Sequence, residues 1–152
     1  MLQKIMVVLA ALALILVTAC GSPTPAPTVI PTESAVIDTA LLANDWQWIG
    51  LTVPARQITI ETPENYILSF QDNGTVLIKA ACTNATRNYT ADNGVLTFSI
   101  WPVTIAGCQS NSRSDQFFGL IGSAARYHFN DGNLYINLKT DGGMMTFAPA
   151  AP

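Results

Sequence analysis

Apolar and polar side chains alternate along residues 45–147 in short runs separated by turn residues. Successive side chains of a strand point to opposite faces, so these runs predict half-buried β-strands. Tyr66, Leu68 and Phe70 share one side of such a run. Val76, Ile78, Ala80 and Cys82 do so in the next, followed by Leu96, Phe98 and Ile100 and by Leu134, Ile136 and Leu138. The opposite side carries Lys79, Thr97, Ser99 and Asn137, which gives one buried face and one wetter face. An earlier run puts Trp46 and Trp48 on one face, and residues 56–60 read as a further short strand. Between the runs stand Asp72-Asn73-Gly74, Asp92-Asn93-Gly94, Asn130-Asp131-Gly132 and Asp141-Gly142-Gly143. Asn, Asp and Gly reach positive φ at low cost, as tight hairpins require. Such turns predict consecutive antiparallel strands in a meander.

One segment leaves the period of two. Phe117, Leu120 and Ile121 fall at i, i+3 and i+4, a helical stripe. Ser112 and Asp115 resemble a capping box, and Gly122 is placed to end the helix. The expected fold is therefore mainly β. It is an antiparallel meander sheet of about seven or eight strands, curved or closed into a barrel, with one short α-helix packed on it.

Ahead of this pattern, residues 5–17 form an unbroken apolar run after Lys4. Its length of about 13 matches a signal-peptide core and falls short of the roughly 18–20 needed to span a bilayer. Val17-Thr18-Ala19-Cys20 then resembles the lipobox of bacterial lipoproteins, with Gly21-Ser22 directly after it. In that family the Cys thiol receives a diacylglyceryl group and the chain is cut just before it. The resemblance makes Cys20 the expected lipidation site. Two acyl chains, at about 0.8 kcal/mol per buried CH2, hold a protein stably at a membrane. Residues 21–33 then alternate Pro with Thr and small residues. Proline fixes φ and lacks an N–H, so neither helix nor sheet is expected there. At about 3.1 Å per residue, residues 20–40 reach roughly 60 Å when extended. The expected organisation is residues 1–19 as signal peptide, 20–40 as lipidated Cys and tether, 41–149 as the β domain and 150–152 as a tail. The expected location is extracytoplasmic, on a bacterial membrane, through lipid at Cys20.

The chain of 152 residues is long enough for one domain and too short for two. Charged residues make up 11%, less than half of the usual roughly 25%. With a net charge of -3 and seven Lys+Arg, nucleic-acid binding through a basic surface is not expected. The apolar content of 49% is too high for an acidic disordered chain. Loss of the leader removes Lys4 and leaves six basic against ten acidic residues, or -4.

The chemistry on offer is sparse. If lipidation consumes Cys20, Cys82 and Cys108 remain as an even pair, which in an exported domain favours a disulfide. Two buried free thiols are the alternative; a redox or nucleophilic thiol lacks a CxxC motif or a His partner. His128, the single histidine, has parity opposite to Tyr127 and Phe129 and is expected to face solvent. The Asp-Asn-Gly turns do not match a calcium loop and are explained as hairpins. No metal, no cofactor and no catalytic residue are expected. For a ligand-binding surface the best-placed aromatics are Trp101, at a strand end, and Tyr135, on the wetter face. Asn84 and Arg87 are further candidates.

The order of features from Trp46 to Phe147 resembles the META domain, the family that includes the HslJ heat-inducible proteins of bacteria. The matching pieces include Trp46, the strand of residues 66–70, the Asp72-Asn73-Gly74 turn and Cys82. Tyr89-Thr90, residues 92–98, Thr104, Ala106 and Cys108 follow, then Phe117 with Leu120, and Leu134, Gly143 and Phe147. The family pattern has Asn after the first Cys and Gly two residues before the Tyr. Thr83 and Arg87 stand at those places, so residues 83–88 are expected to form a loop of their own shape. The resemblance implies a small, mostly β domain of envelope or stress-associated proteins and implies no settled activity. The expected role is non-catalytic: envelope maintenance or stress tolerance through binding an envelope protein or small ligand, as a monomer. The alternatives are a β-cup carrying a small ligand, and an inhibitor of a hydrolase acting through residues 83–88 or 110–114.

Overall fold

The computed structural model describes residues 38–99 and 111–151. A single helical turn, α1 (Thr39–Leu42), comes first. Asp38 caps it, with Oδ1 accepting from the Ala40 N–H at 2.9 Å. Among the described residues nine strands follow: β1 (Trp46–Val53), β2 (Arg56–Thr59), β3 (Tyr66–Phe70), β4 (Thr75–Ala80), β5 (Thr83–Asp92), β6 (Val95–Phe98), β7 (Ala124–Asn130), β8 (Asn133–Leu138) and β9 (Met144–Pro149). A longer helix, α2 (Ser114–Gly122), stands between β6 and β7.

The strands pair in the order β2-β1-β3-β4-β5-β6-β7-β8-β9, and β9 returns to β1. Eight antiparallel strands thus close into a barrel, and β2 is an extra strand appended to it. Closure leaves the ring without free edges. β1 makes this possible by serving three neighbours. One edge runs beside β9 from Trp46 to Thr52, with a register shift between Trp48 and Gly50. The other edge is divided: Trp46 and Gln47 face β3, while Gly50 through Val53 face β2.

The hairpins follow the turn chemistry. Asn93 and Gly94 have φ of 47° and 75°, and Asp131 and Gly132 have 50° and 77°. Two successive positive φ values are what a two-residue type I′ turn needs. A turn at Ala81 and Cys82, with Ala81 at φ 48°, was not expected. It ends β4 at Ala80 instead of Cys82 and starts β5 immediately. The expected loop at residues 83–88 is therefore a strand, paired with β4 from Ala80↔Thr83 to Thr75↔Asn88. The segment is polar or small on both faces, so hydrophobic alternation does not mark it. Its pairing with the apolar β4 supplies the ordering that its own side chains do not.

Inward side chains fill the barrel. Trp48, Phe117, Phe147, Leu68, Ile78, Leu134, Ile136 and Met145 are each at most 2% exposed. Phe117 of α2 stacks on Trp48 at 5.2 Å and touches Tyr66 and Phe147 at 5.5 and 6.3 Å. Ile121 is buried beside it and Leu120 is partly buried, as the stripe predicted. The expected caps are corrected. Arg113 is the N-cap and makes no side-chain cap bond, while Ser112 Oγ accepts from the Ser114 N–H at 3.1 Å, one residue out of capping-box register. Gly122 is the last helical residue, and Ser123, at φ -97° and ψ 5°, closes the helix without a left-handed residue.

The two helices sit at opposite mouths. α2 is tied to the starts of β3 and β5 and the end of β4. The Arg113 N–H donates to the Tyr66 hydroxyl at 2.8 Å, and Ser114 Oγ donates to the Ala80 carbonyl at 2.9 Å. α1 is tied to the other mouth. Leu41 is fully buried, its carbonyl accepts from Trp46 Nε1 at 2.9 Å, and Asp38 Oδ2 accepts from the Tyr127 hydroxyl at 2.8 Å. Thr39 and Ala40, at the end of the expected tether, are thus part of α1.

Candidate functional site

Of the residues singled out in the sequence, Cys20, Trp101 and Cys108 lie outside the described residues. Cys82 is exposed in the β4–β5 turn and is disulfide-bonded. Tyr135 is on the outer face of β8, stacked against the exposed His128 at 5.0 Å and 9°. Arg87 shares the parity of Tyr89 and Ala91, and its Nη1 donates to the Thr86 carbonyl at 2.8 Å. Asn84 is on the outer face of β5. Tyr135, Arg87 and Asn84 therefore do not converge. Trp46, Trp48, Tyr66, Tyr89 and Tyr127 are all core residues.

Asn84 instead belongs to a groove on the outer faces of β3, β4 and β5. Outward side chains stand there in two cross-strand rows: Ile67, Lys79 and Asn84 in one, Ser69, Leu77 and Thr86 in the other. Neighbours across strands have Cβ atoms about 4.5–5.5 Å apart, close enough to form one surface. Asp45, the residue before β1, completes the lining, and the groove encloses about 400 Å³. Leu77 is 49% exposed, the largest value for a big hydrophobic residue among the described residues. The side chains of Asp45, Ser69, Lys79, Asn84 and Thr86 have no hydrogen-bond or ion-pair partner among the described residues. The groove thus combines an apolar patch with unspent donors and acceptors. A second depression, of about 500 Å³, lies beside the N-terminus of α2. Its Tyr66 and Ser112 oxygens are already engaged in holding Arg113 and Ser114.

The residues of this groove other than Asn84 were not picked out from sequence. A signal was there: Ile67 and Leu77 are apolar at outward positions of adjacent strands, where alternation calls for polar residues.

The groups with shifted ionisation lie elsewhere, at the α1 mouth. Burial pushes the Tyr127 hydroxyl upward, and its bond to Asp38 and the charges of Asp38 and Asp92 push the same way. Burial also raises Tyr89, with help from Asp72 and Asp38. Both hydroxyls are held as neutral donors, Tyr89 to the Gln71 carbonyl at 3.0 Å. Their arrangement fastens the mouth and offers no acid–base pair. Among the described residues, no group of three or more His, Cys, Asp or Glu side chains is placed to hold a metal ion.

No family model matches the chain. No curated protein matches it either. Solved structures do. A DUF4847 family protein from Bacteroides vulgatus is similar with a TM-score of 0.55 and 12% identity, over 71% of this chain and 93% of that one. A protein from Burkholderia xenovorans is similar with a TM-score of 0.61 and 13% identity, over 84% of this chain and 100% of that one. The likeness is one of fold. It places the chain among small closed antiparallel barrels.

Proposed function

We propose that the protein is a non-catalytic lipoprotein of the bacterial envelope. A lipidated Cys20 and the Pro/Thr tether display a META/HslJ-like barrel that works by binding through its outer surface. The observation that carries this reading is the packed interior. Trp48, Phe117 and Phe147 are buried against one another in the barrel, and Leu41 of α1 and Ile121 of α2 are buried as well. Among the described residues the inward side chains are packed against one another, which favours recognition on the outside. The carrier alternative needs an open interior and is less well supported for that reason. The inhibitor alternative relied on protruding loops, yet residues 83–88 are in β5 and Ser114 is buried at the start of α2.

The META assignment is supported by the order of residues from Trp46 to Phe147 and by a barrel that accommodates that order. The lipobox-like residues 17–20 support the anchor. Two measurements test the reading. Cells making the protein should incorporate radioactive palmitate into it, and Cys20→Ala should abolish the label. Continued labelling of the variant would sink the anchor. Cross-linking of the anchored protein in whole cells should yield envelope partners that a surface-charge variant loses.

A further inference from the structure

We propose that the outer-face groove of β3, β4 and β5 is a saccharide subsite that takes a pyranose unit of an envelope polysaccharide. The inference rests on the reading that the barrel binds through its outer surface, and it names the ligand class.

The groove sets three requirements. Ile67 and Leu77 call for a ligand with one apolar face. Ser69, Thr86 and Asn84 call for neutral groups that both donate and accept, and Asp45 calls for donors. Lys79 supplies further donors at the same rim. A pyranose ring meets all three. One face presents C–H groups that cover an exposed leucine, and its rim carries hydroxyls that donate to a carboxylate and accept from amide and ammonium groups. The volume of about 400 Å³ is in the range of small-ligand clefts.

Other classes fit less well. β4 is paired on both edges, to β3 and β5, so no free backbone edge is available for an added peptide strand. A single Lys in a groove that also holds an Asp gives no field for a polyanion. An acyl chain would leave the rim's polar groups unsatisfied. The surface also continues beyond Thr86 through uncharged residues, Asn88 and Thr90 on the outer face of β5, Thr97 on β6, and Ser99 just after β6, bonded to Asn88. That neutral hydroxyl and amide tract suits the next units of a chain and favours a polysaccharide over a free sugar.

The test uses the full chain in detergent micelles, titrated with a neutral hexose tetrasaccharide, an N-acetylglucosamine tetrasaccharide and an uncharged tetrapeptide containing leucine. Binding is read by saturation-transfer NMR and calorimetry. The expected result is saturable binding of at least one tetrasaccharide with a Kd of about 1 mM or tighter. Asp45→Asn and Leu77→Thr should each weaken it about tenfold or more. Both variants should keep the melting temperature within about 2 °C, since the two side chains are exposed and threonine keeps β-propensity. Tyr135→Ser, on another part of the barrel, should leave binding unchanged. Absence of saccharide binding, binding indifferent to both groove variants, or preference for the peptide would overturn the proposal. Palmitate labelling at Cys20 is read separately, so the groove and the anchored-lipoprotein reading can fail independently.

Discussion

Tyr127 joins two parts of the chain that are 89 positions apart: its hydroxyl donates to Asp38 at the α1 mouth. Its ionisation is pushed above the ordinary tyrosine value of 10.0, as is that of Tyr89. A raised folded-state pKa means that the folded protein keeps the proton more tightly than the unfolded chain. The resulting stability is fully present below about pH 10 and is lost as pH rises further. In an alkaline titration followed at the phenolate absorption band, Tyr89 and Tyr127 should ionise last, together with unfolding. Tyr127→Phe should weaken this coupling and cost about 1 kcal/mol in denaturant melts. Gly143 is a second decisive residue. It has φ +99°, and a Cβ there would overlap the Thr52 carbonyl oxygen and stand 2.9 Å from Val53 Cγ1. Gly143→Ala should destabilise by about 2 kcal/mol or more. An unchanged denaturation midpoint would show that β1 and β9 part easily at that point.

Helix α2 is held more by one aromatic ring than by its own caps. Phe117 meets Trp48, Tyr66 and Phe147, whereas the N-cap Arg113 makes no side-chain cap bond. Phe117→Ala should therefore cost about 3–5 kcal/mol, as expected for a large cavity in a packed interior. Phe118→Ala, on a partly buried position, should cost clearly less. The helix was legible in sequence because its stripe of Phe117, Leu120 and Ile121 breaks a period of two. β5 was not legible over residues 83–88 because both of its faces there are polar or small. What makes it a strand is the backbone pairing to β4, a relation between segments that no local periodicity records. The same limit hid the groove. Ile67, Leu77 and Asn84 are far apart in sequence, and only the register of β3, β4 and β5 makes them neighbours.

For the molecule as a whole, the turns at the α1 mouth gather negative charge. Asp38, Asp72, Asp92 and Asp131 all fall on that side, and no Lys or Arg stands in those turns among the described residues. Screening should relieve this repulsion, so the melting temperature should rise when salt is raised from about 10 to 200 mM, where the Debye length contracts from about 30 Å to below 8 Å. A fall would mean that attractive pairs dominate. Deletion of residues 21–32 should leave the melting temperature nearly unchanged if this Pro/Thr stretch is a tether, and a large drop would mean that it packs on the fold. The mature chain without reductant should weigh about 2 Da less than its dithiol form, given a Cys82–Cys108 bond.

Every strand but the first half of β5, the Asn/Asp-Gly hairpins and the helix α2 could be read along the chain. Alternation, Asn/Asp-Gly turns and a helical stripe are local properties, set by side-chain direction and by φ. Closure of the sheet, the division of β1 between β2 and β3, and the packing of Phe117 into the interior are not local. They depend on how strand twist and stagger accumulate over eight strands until β9 meets β1. The buried face is written in the order of residues. The outer face gains meaning only when the barrel sets Ile67 and Leu77 beside unpartnered polar groups, because a surface site is made of cross-strand neighbours and no single strand contains them.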